Sequence, residues 1–536
     1  MHSVRRIVYI LAFVISIALA LWSHSAPNAH DAAASGFPMA KAERHLEVIA
    51  SRPRFIGTDA NATIRGYIVK ELEDAGIETE IQASTALARR FANTPEDVVI
   101  NNIIARIPGS SKADAILLMC HYDSVPGAPG AGDDGAAVAS LLTILKLLKQ
   151  AAPLPNTIIG LFTDGEERGL LGARAFVKEP HRLLKDIRVV LNFEGRGNAG
   201  PAWMFETSSN NRTLIKQFSQ FSPVPMGCSL MSAAYRYMPN DTDFTIFRRA
   251  GIPGLNFAFI GGYENYHQPA DTIQKLDRGS FAHHGIQMLT MAKGLSAVDL
   301  NQANSSDFGE STYFNITSAV LVQYSNEMVW PITIIACLLS FLLLLRWMSH
   351  GTVTFVKLLL AFAAVFAWVA AATVFVFLIC QGILKISGVS YFGIWGYTEY
   401  DNICFIAISA FVVLLTFAVS AWLSKRLGRD AVLSATLLLF SILAIALSVY
   451  VESGAFLFAW PLLVISAARH LGAHAPPQWI YLLATLAVAA FWAPLVLLFY
   501  QAMMLGACGA GIPLVVLGSL PFLQLFSDTT VSSRAA

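Results

Sequence analysis

The chain is short of charge. Charged residues make up 14% of its 536 positions and hydrophobic residues 55%. A soluble globular protein carries about 25% charged residues. The shortage is uneven: Met39 to Asp307 reads like an ordinary soluble segment, and from Val329 onward the chain is almost continuously apolar. An excess of either sign is also lacking. The net charge is +1, so no basic field points to a nucleic-acid partner. Cysteine is scarce. Cys120 and Cys228 fall in the polar half, and Cys337, Cys380, Cys404 and Cys508 in apolar segments. That scatter excludes a disulfide framework and a Cys-x-x-Cys zinc motif. Cys120, inside an apolar run, reads as a small core residue.

Long hydrophobic runs are plentiful. Ile7 to Trp22 comes after Arg5 and Arg6 and lacks a small-x-small cleavage site. It therefore reads as a retained anchor rather than a removed leader, and either would export the polar segment after it. Further runs lie near 329–347, 355–380, 402–423, 431–451, 454–468, 478–499 and 505–526. Most reach the roughly 20 residues a membrane helix needs; the 454–468 run is short. Arg346 and Lys357 flank one short loop. Lys425, Arg426 and Arg429 fill the next alternate loop, Arg469 the third, and Arg534 the tail. The intervening loop, 383–401, holds Glu399 and Asp401 with only Lys385. By the positive-inside rule both termini are expected to be cytoplasmic. The expected plan is an anchor (1–22), an extracytoplasmic domain (23–300), a connecting segment (301–328) and a multi-pass membrane domain of about seven helices (329–536). The exported domain would be periplasmic in a bacterium and lumenal in a eukaryote.

The polar half alternates strands with helices. Apolar runs at Ala115–Cys120, Asn156–Thr163, Ile187–Phe193 and Ile252–Phe259 read as buried strands. Gly135–Lys149, Leu170–Lys178 and Asn211–Phe221 read as helices, the first with Asp134 available as N-cap. That order predicts an α/β fold with a mixed, largely parallel central sheet and helices on both faces. Its ligands would bind beyond the carboxyl ends of the strands.

Those ends are where the chemistry gathers. After the first strand come His121-Tyr122-Asp123-Ser124, then Gly132-Asp133-Asp134-Gly135 at a helix start. Asp164-Gly165-Glu166-Glu167, Asn192-Phe193-Glu194-Gly195 and Tyr266-His267-Gln268-Pro269 come after the others. Imidazoles and carboxylates are ligands that zinc accepts, and the set suffices for two ions. His121 and Glu194 would hold one, Glu167 and His267 the other, and Asp133 would bridge them. Glu166, next to a ligand but free, would be the general base. Asp123 would accept the remaining ring N–H of His121, and Tyr266 would donate to an oxyanion. Each pattern alone has a plain reading: a surface His-x-Asp pair, a solvated Glu-Glu, a capping Asp-Asp, a packed Tyr-His. Their conjunction at predicted strand ends points to a metal site.

These motifs resemble the zinc aminopeptidase family of the MH clan, over about 40–300. The family includes bacterial secreted aminopeptidases, glutamate carboxypeptidase and the transferrin-receptor ectodomain. The twelve-residue step from His121 to Asp133 is also similar, as is Asn240-Asp241-Thr242-Asp243-Phe244. The resemblance implies a zinc exopeptidase-like fold, two zinc ions, a cis peptide after Asp133, and Asp243 lining the substrate site. Many soluble relatives carry Asp where this chain has Glu194; Asn-Phe-Glu-Gly looks like the membrane-bound branch, the vacuolar and endoplasmic-reticulum membrane metallopeptidases. Tyr313-Phe314 and Tyr324 fit that branch too. The implied activity is exopeptidase cleavage, of aminopeptidase type, of a peptide or protein substrate beside a lipid bilayer. A glutaminyl-cyclase-like acyl transfer and a non-catalytic receptor or assembly factor on the same fold are the alternatives. Asn-x-Ser/Thr sequons begin at Asn61, Asn211, Asn240, Asn304 and Asn315.

Overall fold

The computed structural model describes residues 2–26, 28–88, 90, 96–110, 114–151, 153–178, 181–301, 309–388, 398, 400–471 and 479–523. Glu399, Arg534 and the sequon at Asn304 lie outside the described residues. The chain divides into two compact units, Ser25–Ser325 and Met1–His24 with Asn326–Ala536.

The first unit is built on a seven-stranded sheet. Its strands are β1 (Glu78–Ala88), β2 (Glu96–Ile107), β3 (Ala115–His121), β4 (Thr157–Thr163), β5 (Ile187–Gly195), β6 (Ala199–Thr207) and β7 (Gly254–Gly261). Their order is β1-β2-β4-β3-β5-β7-β6. The central four, β4-β3-β5-β7, run parallel. β1 and β2 extend one edge antiparallel, and β6 the other. The sheet is mixed with a parallel centre, as the alternation of elements predicts. Residues along β3 explain the layering. Ile116, Leu118 and Cys120 join one hydrophobic core, and Ala115, Leu117 and Met119 join a second. Successive side chains point to opposite faces, so a strand apolar at every position requires cover on both. Leu145 and Leu289, from helices Ala136–Gln150 and Arg278–Ser296, lie in the first core; Phe176 and Phe247, from Leu171–Lys178 and Asp243–Arg249, lie in the second.

The four expected strands and three expected helices are present, their bounds shifted by two residues at most. β1, β2 and β6 were not read from the sequence. One detail is corrected: Asp134 does not cap helix Ala136–Gln150, whose N-cap is Gly135 with no side-chain bond. Asp134 instead accepts the His121 backbone N–H at 3.3 Å. Within the expected connecting segment, β8 (Ser311–Thr317) and β9 (Val320–Ser325) form a hairpin. Tyr313 is buried there, its hydroxyl 2.9 Å from that of Ser232. The sequon residue Asn61 is also buried, its amide donating to Asp164 at 3.1 Å.

The second unit is helical. Among the described residues five helices are long and apolar enough to cross a membrane: Asn326–Ser349, Phe355–Ile386, Asp401–Leu427, Arg429–Tyr450 and Trp479–Gly506. Three shorter apolar helices accompany them, Ile7–Ser23, Phe456–Leu471 and Ile512–Phe522. Eight spans were expected; by length and composition five qualify. Leu338, Phe341, Leu359, Leu378, Ile406 and Leu414 are all exposed. An apolar surface of that extent suits hydrocarbon and not water.

Candidate metal centre

β3 connects to β4 on one side, while the chain after β5 goes to the other side of the sheet. The crevice between the carboxyl ends of β3 and β5 is therefore the switch point where ligands of such sheets bind. β3 ends on His121, and Glu194 is the penultimate residue of β5. Between them comes Asp133. It sits in extended backbone (φ −116°, ψ 92°) ahead of helix Ala136–Gln150 and is joined to Asp134 by a cis peptide, as the resemblance implies. The two segments can meet because both carry glycine. A Cβ on Gly195 would lie 2.2 Å from the Gly132 carbonyl oxygen, and one on Gly132 2.3 Å from that of Gly197.

Buried polar groups fix this loop. Asp271 accepts the backbone N–H groups of Gly132 at 2.8 Å and Asp133 at 3.1 Å. Arg54 is wholly buried and donates to the carbonyls of Tyr122 (2.7 Å), Gly130 (2.9 Å) and Pro129. Asp123 accepts the N–H of Glu166 at 3.1 Å and of Glu167 at 3.3 Å, tying the loop after β4 to the end of β3. His121 Nδ1 stands 3.2 Å from the Asp123 carbonyl and 3.4 Å from its carboxylate.

Two donor clusters result, sharing Asp133. His121 Nε2 is 3.0 Å from Asp133 Oδ1 and 3.5 Å from Glu194 Oε2. His267 Nε2 is 3.0 Å from both Asp133 Oδ2 and Glu167 Oε1. In each triplet the donor atoms all lie within 4.8 Å of one another. The bridging carboxylate offers one oxygen to each side. His267 Nε2 and Glu167 Oε1 approach closely, yet neither has a hydrogen-bond partner. Atoms aimed at a common point rather than at each other behave so, and imidazole with carboxylate oxygen is a donor set that suits zinc. His267 takes a left-handed backbone (φ 59°) to join the cluster, a conformation costing about 1–2 kcal/mol for a non-glycine residue.

The electrostatics agree. Burial alone would lower His121, but hydrogen bonds with Asp123, Asp133 and Glu194 outweigh it and hold its pKa well above the usual histidine range. Burial would lower His267 too, but the carboxylates of Asp133 and Glu167, each 3.0 Å from its Nε2, outweigh it and raise it to about 9. Burial and the neighbouring Asp133 push Glu167 to about 7. Glu166 is raised well above its ordinary value by burial, with Glu194, Glu167 and Asp243 adding to the effect. Asp243, in the first turn of helix Asp243–Arg249, is held up to about 7 by burial and Glu194 while accepting from the Thr163 hydroxyl. So many carboxyl groups in one dry crevice repel, and divalent cations relieve that repulsion. Tyr266 stacks on the His267 ring, centroids 3.7 Å apart. Burial, with Asp133, Glu167 and Glu166, raises its hydroxyl far above 10, keeping it a donor.

The nine candidate residues are thus brought to one rim. Sequence reasoning missed Arg54, Asp271, Thr163 and Asn192. Asp271 had a faint signal, an acid four residues after His267; a lone arginine such as Arg54 had none.

Residues 102–292 match the model of Peptidase family M28. Curated relatives point the same way. The vacuolar membrane protease of Candida dubliniensis is 28% identical over 331 residues, 59% of this chain and 35% of that protein. Endoplasmic reticulum metallopeptidase 1 of Mus musculus is 29% identical over 235 residues, 42% of this chain and 26% of that protein. The chain spans 35% or less of the length of these relatives. Among solved structures, a zinc aminopeptidase from Bacillus subtilis aligns over 48% of this chain and 94% of its own, at 16% identity and TM-score 0.38. The glutaminyl cyclase of Porphyromonas gingivalis aligns over 47% and 96%, at 20% identity and TM-score 0.39. The likeness drawn from the motifs, to the vacuolar and endoplasmic-reticulum membrane metallopeptidases, is borne out by the family model and the curated relatives.

Proposed function

We propose that this chain is a membrane-anchored di-zinc exopeptidase, of aminopeptidase type, that hydrolyses peptide bonds of peptides or proteins on the extracytoplasmic side of a lipid bilayer. One observation carries the reading: two triplets that could each hold a metal ion share the two oxygens of Asp133, with a fourth acid, Glu166, beside them and in neither. His121, Asp133 and Glu194 would hold one ion, and Asp133, Glu167 and His267 the other. When bound, zinc supplies a Lewis acid for the scissile carbonyl and lowers the pKa of the attacking water. The remaining work falls to side chains. Glu166 takes the proton from the water and returns it to the leaving amine. Tyr266 donates a hydrogen bond from its hydroxyl to the developing oxyanion. Asp123 orients His121 and, through two backbone N–H groups, the loop carrying Glu166 and Glu167. Asp243, with one carboxylate oxygen buried and without a hydrogen-bond partner, lines the substrate side.

The test is zinc content and hydrolysis by the detergent-solubilised full chain, wild type beside Glu166→Gln, on amino-blocked, carboxyl-blocked and unblocked peptides. Two zinc ions per chain are expected in both proteins. Turnover should fall about 10²–10⁴-fold in the variant, and only peptides with a free amino end should be cut. Cleavage confined to free carboxyl ends would refute the aminopeptidase type. Bound zinc with cyclisation of amino-terminal glutamine in place of hydrolysis would make the chain an acyl transferase.

A further inference from the structure

Asn192 is fully buried on β5, two residues before Glu194 and therefore on the same face of the strand. Its side-chain Nδ2 donates to Glu194 Oε1 at 2.9 Å and to Asn256 Oδ1 at 3.0 Å. Asn256 is the register partner of Asn192 on β7. Its own Nδ2 donates to Glu206 Oε2 at 3.0 Å and to the Thr242 hydroxyl at 2.8 Å. Glu206 is the partner of Asn256 on β6, is 1% exposed, and pairs with the Arg248 guanidinium at 2.9 Å. Arg248 reaches solvent, its side chain 28% exposed. One polar row therefore crosses three strands, from the metal-site carboxylate to the surface.

The row has a fixed direction. An amide NH₂ offers two hydrogens and its oxygen offers none. Both hydrogens of each asparagine are used, and each meets an acceptor. Turning the Asn256 amide over would set its oxygen against the buried Glu206 carboxylate. Turning Asn192 would set oxygen against Glu194. The anion at Glu206, balanced by Arg248, orients Asn256; Asn256 orients Asn192; Asn192 holds one oxygen of Glu194. The other oxygen, Oε2, is left facing His121 Nε2.

We infer that Asn192, Asn256 and Glu206 are positioning residues that fix Glu194 as a ligand through a single oxygen, and that the Arg248–Glu206 pair anchors them. The inference rests on the two-metal reading and deepens it: outer partners that orient a ligand typically change metal affinity 10–100-fold when removed. It also predicts asymmetry, because the row touches only the triplet of His121, Asp133 and Glu194.

The experiment uses the metal-free full chain in detergent, titrated with cobalt(II) and followed by the visible absorption of each equivalent. Wild type should take up two equivalents. In Asn192→Leu one equivalent should weaken 10–100-fold and the other remain as in wild type. Asn192→Asp, which sets a charge against Glu194, should weaken the same equivalent more. Arg248→Gln lies at the solvent end and leaves the buried amides in place, so it carries the test if the Asn192 variants do not fold; a several-fold loss confined to the same equivalent is expected. Two equivalents bound as tightly as in wild type by Asn192→Leu, or by Arg248→Gln where only that variant folds, would overturn the inference. So would an equal loss at both equivalents, the mark of a general structural role. A wild-type chain that binds a single equivalent would count against the two-metal reading instead, and the row would then be judged on whether Asn192→Leu weakens that equivalent.

Discussion

Asp123 holds the loop after β4 and Arg54 the loop after β3, and the two differ in how far the sequence shows them. Asp123 comes two residues after a histidine, a spacing that suggests ring orientation from sequence alone. The structure adds that its carboxylate also holds the backbone of Glu166 and Glu167. Asp123→Asn should therefore weaken metal binding about 10–100-fold, measured by competition against a chelator, and should lower turnover beyond the loss of metal because the Glu166 loop loosens. Equal activity at saturating zinc would show that the loop is held by other means. Arg54 was invisible because a cation in Arg-Pro-Arg ordinarily reads as surface. Here its guanidinium donates to three carbonyls and is fully buried. Lysine has the charge but not the planar fork. Arg54→Lys should cost about 3–5 kcal/mol of stability, read as a fall in the urea midpoint of the 25–325 unit by pulse proteolysis. A midpoint within error of wild type would show that one ammonium suffices.

At the scale of elements, the strands read from sequence are the largely apolar ones buried at nearly every position, β3, β4, β5 and β7. β1 escaped because Glu-Thr-Glu-Ile-Gln-Ala-Ser-Thr lies at the sheet edge with most positions partly exposed. β6 opens with Ala-Gly-Pro, which imitates a turn. Acids and histidines at strand ends were legible because the switch-point rule says where to look; the glycine contact that joins Asp133 to Glu194 was not, since it depends on two segments 60 residues apart. Gly195→Ala tests that contact. The added methyl would meet the Gly132 carbonyl at 2.2 Å, so the strand and the loop must part. Loss of bound zinc with a folded chain is the expected outcome, and unchanged zinc content would mean the backbone yields elsewhere. Helix Arg278–Ser296 carries a second element-scale effect. His283 is buried, with Nδ1 accepting from the Ala202 N–H and Nε2 donating to the Val224 carbonyl, a pattern only the neutral ring can make. His284 lies between the rings of Phe193 and Phe259. Burial lowers the first to about 4 and, with the charge of His283, the second to about 3. Both folded values lie below the unfolded 6.5, so below that pH the unfolded chain binds more protons. Stability is complete above about pH 6.5 and is lost as pH falls toward 4 and then 3. Between pH 7 and 5 each ring should cost about 2 kcal/mol. The urea midpoint of His284→Leu should fall less over that range than that of wild type; equal slopes would remove this ring as a source of acid sensitivity.

For the whole molecule, the division at residue 325 reflects composition: a segment with an ordinary share of charge folds around a sheet, and an apolar one forms helices whose exposed faces carry Leu338, Phe341, Leu359 and Leu414. Helix existence was readable from hydropathy. Among the described residues five helices have the length of a span, while Phe456–Leu471 and Ile512–Phe522 are shorter. Orientation rests on charge. Arg346 and Lys357 flank one turn, and Lys425, Arg426 and Arg429 the next alternate one, whereas the segment just before Asn402 carries acids. Basic loops are retained on the cytoplasmic side, which would place the 25–325 unit and its metal centre outside. Single cysteines at Lys425 and His350 should therefore react with a membrane-impermeant maleimide only after permeabilisation, and one at the exposed Tyr237 should react in intact cells. The buried Cys120 and Cys228 should stay silent in both conditions. The reverse pattern would put the 25–325 unit in the cytoplasm. A substrate exported across the bilayer would then never meet it, and the proposed extracytoplasmic role would fail even if both zinc ions and the hydrolysis were present.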